Sequence, residues 1–267
     1  MKNELGTAVI TGASSGLGKV FADRLAKQGY DLKIIARRGD RLETIAGEIT
    51  AKYGVQVQNI VADLRSASEL QKVVDNLSND ATITLLVNNA GTATLAKITD
   101  TSIEKQLEMI NVNITAIAIL TNTVLPIFKK NNRGTFINIA SVLGIHSLEF
   151  SSVYSGTKAF VVNYTRGLQQ ELKDTNIKAQ IVLPATTATE IWEIGGVPLS
   201  ALKPATIMTS EDCVDATLKA LELGEQFTLP SADDQHLIDE YENARLKLFA
   251  SATQTGKPAS RYHVSTN

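Results

Sequence analysis

The sequence predicts a doubly wound α/β fold, a single domain in which a parallel sheet carries helices on both faces. Short apolar runs alternate along the chain with amphipathic stretches of helical period, the pattern of a parallel sheet covered on both sides. A glycine-rich turn lies directly between the first apolar run and the first amphipathic stretch, where strand passes to helix. The length of 267 residues suits one large α/β domain, and neither an internal repeat nor a linker divides it.

Each element follows in order. Residues 7–10 are apolar and strand-like, and 16–28 repeat apolar positions at helical spacing before stopping at Gly29. Residues 32–36 form the next strand, and 41–53 a helix closed by Gly54. Strands are expected over 57–61, 83–87, 135–139 and 178–183, with helices between them that include 103–129 and 154–173. Residues 226–229, ahead of Pro230, give a last strand. Leu237, Ile238, Tyr241, Ala244 and Leu248 then mark an amphipathic helix. The domain is therefore expected over 1–250 with a polar tail over 251–267. Segment 186–210 follows a strand end and contains Gly195, Gly196, Pro198 and Pro204, which reads as a lid or binding loop.

Composition narrows the function classes. With 43% hydrophobic and 20% charged residues and a net charge of −2, the chain reads as an ordinary soluble globular protein. That charge gives no bulk electrostatic case for nucleic acid or an anionic membrane as partner. The apolar stretch 114–128 is broken by Thr115, Thr121, Asn122, Thr123 and Pro126, and is expected to be too short and too polar to span a bilayer. Cys213 is the only cysteine, which excludes an intrachain disulfide framework. Without a visible signal segment, a cytoplasmic location is expected. No histidine or cysteine cluster has metal-ligand spacing, so no metal is expected, and His146 reads as a pocket-wall or surface residue.

Two clusters carry chemistry. Thr11-Gly12-Ala13-Ser14-Ser15-Gly16-Leu17-Gly18 occupies the strand-to-helix turn. Glycines there let the backbone approach a pyrophosphate, and the amides and dipole of the following helix favour an anion. At the other end, Tyr154 and Lys158 are four residues apart. On a helix they share a face, so an ammonium beside the phenol is expected to lower the phenol pKa from its usual ~10.

These residues resemble the short-chain dehydrogenase/reductase family. Its T-G-x-x-x-G-x-G motif matches Thr11 to Gly18, and its N-N-A-G signature matches Asn88-Asn89-Ala90-Gly91. Its active-site asparagine, serine and Y-x-x-x-K pair match Asn113, Ser141, Tyr154 and Lys158. The resemblance implies a Rossmann fold and a cofactor site drawing on Gly12, Ser14, Ser15, Gly16, Leu17, Gly18, Asp63, Leu64, Asn89, Ala90, Gly91, Tyr154, Lys158, Pro184 and Thr189. Asp63 looks like a contact to the adenine amino group, and Thr189 like a contact to the nicotinamide end. The usual P-G-x-x-x-T reads Pro184-Ala185-Thr186-Thr187-Ala188-Thr189. Ala185 in place of glycine is tolerated if its φ is negative.

The end of the second predicted strand separates the two nicotinamide cofactors. NAD sites place a carboxylate there for the ribose hydroxyls, whereas this chain reads Ala36-Arg37-Arg38. Guanidinium groups bind a 2′-phosphate through charge-assisted hydrogen bonds. NADP(H) is therefore expected, with Arg37 as main phosphate ligand and Arg38 as a second. Tyr154 would act as general acid in carbonyl reduction and as base in the reverse direction. Lys158 would tune it and hold the nicotinamide ribose, and Ser141 would bind the substrate oxygen; the resemblance further implies that Asn113 anchors a water relay.

Ala93, Thr94, Val142, Leu143, Phe150, Ile191 and Trp192 are expected to border the reacting carbonyl, which suits a neutral, mostly apolar ketone or aldehyde. A non-catalytic NADP-sensing regulator and an enzyme of epimerisation or dehydration are the alternatives. The resemblance also implies a homodimer or homotetramer formed through helices 103–129 and 154–173.

Overall fold

The computed structural model describes residues 4–264. Residues 1–3 and 265–267, the ends of the expected domain and tail, lie outside it. Seven strands form one parallel sheet in the order β3-β2-β1-β4-β5-β6-β7. They are β1 (Thr7–Thr11), β2 (Asp31–Ala36), β3 (Val57–Val61), β4 (Ile83–Asn88), β5 (Gly134–Ile139), β6 (Ile177–Val182) and β7 (Phe227–Thr228). The helices are α1 (Gly16–Gln28), α2 (Gly39–Tyr53), α3 (Ala67–Leu77), α4 (Ile103–Ile110), α5 (Ile117–Asn131), α6 (Ser152–Leu172), α7 (Ile191–Ile194), α8 (Ser210–Glu222) and α9 (Gln235–Ala252).

The alternation of side chains along each strand divides the core between the two faces. Ala8 and Ile10 of β1 pack with Val20 and Phe21 of α1, Leu42 and Ile45 of α2, and Val214 of α8. Val9, between them in sequence, faces the opposite cluster, with Leu70 and Val73 of α3, Val124 and Phe128 of α5, and Leu168 of α6. Strands buried on both sides must be apolar at nearly every position, which is why they stand out in the sequence.

Helices start and stop where local chemistry dictates. Ser66 caps α3 by accepting from the Glu69 amide, and Thr209 caps α8 by accepting from the Asp212 amide. Gly29 and Gly54 end α1 and α2 in the left-handed conformation. The helix expected over 103–129 is continuous, but a π-helical turn, Asn111–Ala116, joins α4 to α5. Taken whole, Ile103–Asn131 has 29 residues and a mean hydropathy of 1.5 in its most apolar window, long and apolar enough to cross a membrane. The expected stretch 114–128 lies within this longer helix, whose first part, α4, carries Glu104, Lys105 and Glu108. The side bearing Leu120, Val124 and Phe128 is committed to the sheet.

By its internal contacts the chain divides into two compact units, Met1–Ser231 and Ala232–Asn267. Helix α9 groups with the tail in the second unit. No residue of α9 is buried, and Leu237 and Leu248 of its expected apolar face are 61% and 73% exposed.

Candidate active site

A pocket of about 430 Å³ runs along the carboxyl ends of the strands in the first unit. Its lining includes Gly12 after β1, Arg37 after β2, Asp63 after β3, Asn89 after β4, Ser141 after β5 and Pro184 after β6. The strand order reverses at β1, between its neighbours β2 and β4. Such a switch point leaves a crevice, because the connections on either side run to opposite faces.

The glycine turn forms one end of the pocket. Gly12 and Gly16 have φ of 69° and 50°, a region that favours glycine. A Cβ at Gly12 would come within 2.9 Å of Ala90 Cα. Gly18 does not line the pocket but packs behind it, since a Cβ there would meet the Gly12 carbonyl and the Asn89 amide. Thr11 Oγ1 accepts from the Asn89 and Ala90 backbone amides at 3.0 and 2.9 Å, tying the turn after β1 to the turn after β4. Ser15, at the α1 N-cap, makes no side-chain capping bond, so the first-turn amides of α1 remain available to an anion. Ser14, Ser15, Leu17, Ala90 and Gly91 also line this end.

Arg38 lies across the turn. Its Nε and Nη2 donate to Ser14 Oγ at 3.2 and 3.0 Å, and Nη2 also donates to Ser15 Oγ at 2.9 Å. Its Nη1 donates to Glu190 Oε2 at 2.7 Å, and Arg41 Nη1 donates to the other oxygen of that carboxylate at 2.7 Å. Arg41 first and Arg38 second pull the Glu190 carboxyl down to about 2. Arg37 is exposed on the rim. The two arginines expected at this end are both present, but Arg38 is the one fixed against the turn. Asp63 is engaged by Arg65, whose Nη2 donates to Asp63 Oδ2 at 2.6 Å, and this hydrogen bonding holds its carboxyl below the ordinary range. Leu64 lies beside it on the lining. Sequence reasoning missed Arg41, Arg65 and Glu190, for nothing local marks an acid on segment 186–210 as the partner of arginines in α2.

The other end holds Ser141, Tyr154 and Lys158. The extended backbone at Ser141 starts a tight turn whose Leu143 amide donates to Ser141 Oγ at 3.1 Å. Helix α6 brings Tyr154 into the same end of the pocket, near enough for the Ser141 hydroxyl to favour the phenolate. Lys158, one helical turn on, is 3% exposed and donates from Nζ to the Ile139 carbonyl at 2.9 Å. Its ammonium lies 5.8 Å from the Tyr154 ring centroid. Burial pushes the Tyr154 phenol up to about 12, with the Ser141 hydroxyl pulling the other way, and burial pushes Lys158 down to about 8. The phenol is thus governed by its desolvation, against which the Ser141 hydroxyl acts.

Asn113 sits in the π-helical turn behind this group and does not line the pocket. It accepts from the Thr92 amide at 2.9 Å and donates to the Thr92 carbonyl and to Thr157 Oγ1 at 2.9 and 3.0 Å. It thereby fixes the turn after β4 against α6. A Cβ on Gly91 would stand in ordinary van der Waals contact with both Asn113 Oδ1 and Lys158 Nζ. Thr189 and Pro184 line the pocket, and Ala185 has no positive φ, the condition under which its Cβ is tolerated. Of the expected substrate-side residues, Ala93, Val142, Leu143, Ile191 and Trp192 line the pocket, whereas Thr94 and Phe150 do not. Leu95, Val112, Leu148 and Ile194 join them. Among the described residues, no group of three metal-ligating side chains could hold an ion.

Comparison with known proteins agrees with this architecture. The model of the family described as short chain dehydrogenase matches residues 6–194. The very-long-chain 3-oxoacyl-CoA reductase of Anas platyrhynchos is 36% identical over 191 residues, 70% of this chain but only 61% of that protein. An NADP-dependent 3-hydroxy acid dehydrogenase of Schizosaccharomyces pombe is 37% identical over 187 residues, 69% of this chain and 72% of that one. A short-chain dehydrogenase from Sphingobium yanoikuyae, solved with NADPH, superposes with a TM-score of 0.91 at 36% identity, over 95% of this chain and 98% of its own. The bulky-bulky ketone specific alcohol dehydrogenase from Comamonas testosteroni does so with a TM-score of 0.87 at 31% identity, over 96% and 98%. With its family match over most of the chain and its parallel Rossmann sheet, the protein belongs to the short-chain dehydrogenase family of oxidoreductases.

Proposed function

We propose that this chain is an NADP(H)-dependent carbonyl reductase and alcohol dehydrogenase acting on a neutral, mostly apolar ketone or aldehyde, or on the corresponding secondary alcohol. The carrying observation is one continuous pocket with a guanidinium fixed on a glycine turn at one end and Ser141, Tyr154 and Lys158 together at the other. The cradle fits a dinucleotide: the glycines at 12 and 16 allow close backbone approach, the α1 amides suit a pyrophosphate, and Arg38 suits a 2′-phosphate. The NADPH and NADP named for the Sphingobium and S. pombe proteins support the same choice. Bound NADP(H) supplies the hydride donor or acceptor.

The remaining steps are assigned to the chain's own residues. Ser141 donates to the substrate oxygen and orients the carbonyl. Tyr154, held as the neutral phenol at physiological pH, gives its proton to that oxygen as negative charge develops on it. Lys158 places a positive charge behind the phenol and stabilises the phenolate left after transfer. Asn113 holds the turn and helix that carry these groups in register.

The substrate class follows from the lining. Ala93, Leu95, Val142, Leu143, Leu148 and Trp192 are uncharged, and apart from Lys158 the pocket's charged side chains are Arg37, Arg38, Asp63, Arg65 and Glu190 of the nucleotide end. A carboxylate or a phosphorylated carrier would call for cations on the substrate side. The apolar wall therefore favours a substrate of the bulky-ketone kind over an acyl-CoA or a hydroxy acid. The exposed faces of α5 and α6, where Phe160 stacks on Tyr164 with ring centroids 5.3 Å apart, are proposed to pair two copies in a homodimer or homotetramer.

The cofactor assignment is tested by kcat/KM for NADPH and NADH across a panel of ketones. NADPH is expected to be preferred. Arg38→Ala is expected to lower kcat/KM for NADPH by roughly 10- to 100-fold, the worth of a charge-assisted hydrogen bond, with NADH nearly unaffected. A preference for NADH in the unaltered protein would refute the assignment.

A further inference from the structure

Segment 186–210 is stapled at its base and held further along, where the Leu95 amide donates to the Gly195 carbonyl at 3.0 Å and Glu190 meets two arginines. Thr187 and Met208 form a β-bridge, with Ala188 N donating to the Met208 carbonyl at 2.9 Å and Met208 N donating to the Thr186 carbonyl at 2.9 Å. Ser210 Oγ closes the staple on the Ala188 carbonyl at 2.7 Å. Beyond it, Thr189 lies on the glycine turn, its Cγ2 being 3.0 Å from where a Gly16 Cβ would stand. Glu190 comes next and spans Arg38 and Arg41, and it directly precedes α7, which carries Ile191 and Trp192 of the substrate wall. The acidic side chain that ties the lid to the nucleotide end thus occupies the cations proposed to hold a phosphate.

Resting on the NADP(H) reading above, we infer that Glu190 is a latch: its carboxylate takes the place of the cofactor's 2′-phosphate on Arg38, so that binding of the phosphate releases the lid. Arg38 spends Nε and Nη2 on Ser14 and Ser15, leaving Nη1, the donor given to Glu190, as its outward arm. A carboxylate between two guanidinium groups and a phosphate monoester make the same demand on these donors. Two anions on one arm repel, so the phosphate displaces Glu190. At 42% side-chain exposure on Glu190 and 38% on Arg38, the ion pair is an exchangeable one. A dinucleotide without the 2′-phosphate makes no claim on Nη1 and leaves the latch closed. The coupling is reciprocal: whatever holds the lid to Arg38 weakens binding of the phosphate by the same factor.

Trp192 is the only tryptophan and stands two residues beyond Glu190, its Nε1 donating to the Thr187 carbonyl at 2.9 Å. Its emission therefore reports the lid without turnover. The test titrates the whole protein and its Glu190→Gln variant with adenosine 2′,5′-bisphosphate and with 5′-AMP, following Trp192 fluorescence and, in parallel, heat by calorimetry. The bisphosphate is expected to shift the emission of the unaltered protein, while 5′-AMP leaves it in place. Glu190→Gln is expected to start at the shifted emission and to bind the bisphosphate about two- to fivefold more tightly. Binding of the bisphosphate with no change in emission, or weaker binding in Glu190→Gln, would overturn the latch and make Glu190 a support for Arg38. Bisphosphate binding no tighter than that of 5′-AMP would instead overturn the NADP(H) reading beneath it.

Discussion

Tyr154→Phe is expected to lower kcat for ketone reduction by about 10³-fold, with KM for NADPH changed less than about threefold. The substitution removes one oxygen, which carries both the proton to be donated and the interaction with the Ser141 hydroxyl. Everything that would hold the cofactor, from the glycine turn to Arg38, is left in place. Such a split between kcat and KM marks an interaction made only as the transition state forms. The pH dependence has a defined sign. Because burial pushes the phenol up to about 12, it is protonated and ready to donate throughout the neutral range. Alcohol oxidation needs the phenolate, so its rate is expected to climb with pH where reduction does not. The two directions are measured by following 340 nm absorbance from pH 6 to 10.

Lys158→Met is expected to separate activity from stability. Activity should fall by about 10²-fold or more, since the phenolate formed at Tyr154 loses the positive charge behind it. Stability should not follow. Burial pushes the Lys158 ammonium down to about 8 from an ordinary value of 10.5, so keeping it charged at pH 7 costs the fold on the order of 3 kcal/mol. Methionine removes that cost, partly offset by the lost hydrogen bond to the Ile139 carbonyl. The folded pKa is depressed, so the unfolded chain binds the extra proton between pH 8 and 10.5. The stability of the unaltered protein relative to the variant must therefore rise with pH across that window. Thermal melts of both proteins at pH 7 and pH 10 check this. The variant is expected to melt at or above the unaltered protein at pH 7 and to lose that advantage at pH 10.

The fold was legible because its strands are buried on both faces. Residues 32–36 form an unbroken apolar run apart from Lys33, and the observed strand is Asp31–Ala36. The left-handed caps at Gly29 and Gly54 were equally plain. The π-helical turn at Asn113 was not, because Asn-Val-Asn-Ile-Thr-Ala satisfies an ordinary helix as well. What shapes it is the pairing of Asn113 with Thr92 and Thr157, contacts that exist only once β4 and α6 are assembled.

The candidate site divides in the same way. Spacing identified Tyr154 and Lys158 as neighbours, but the desolvation that shifts each depends on how deeply it is packed, which spacing does not encode. Adjacent arginines at 37 and 38 cannot be ranked from sequence, since alternate directions at a strand end send one to solvent and the other over the turn. Glu190 was silent for a simpler reason: its partners lie 149 and 152 residues away. Helix α9 forms where its spacing predicts it, although Leu237 and Leu248 of its apolar face are exposed.

The central claim is that hydride passes between a nicotinamide and a carbonyl carbon while Tyr154 supplies the proton. Its most direct test is isotopic. NADPH carrying deuterium at C4 of the nicotinamide, labelled on each face in turn, is incubated with the protein and a bulky aryl ketone, and the alcohol is examined by deuterium NMR. One label is expected to appear on the former carbonyl carbon, the other to remain on the cofactor, and neither to transfer at a comparable rate with Tyr154→Phe. An alcohol free of deuterium with both labels, or undiminished transfer by the phenylalanine variant, would contradict it.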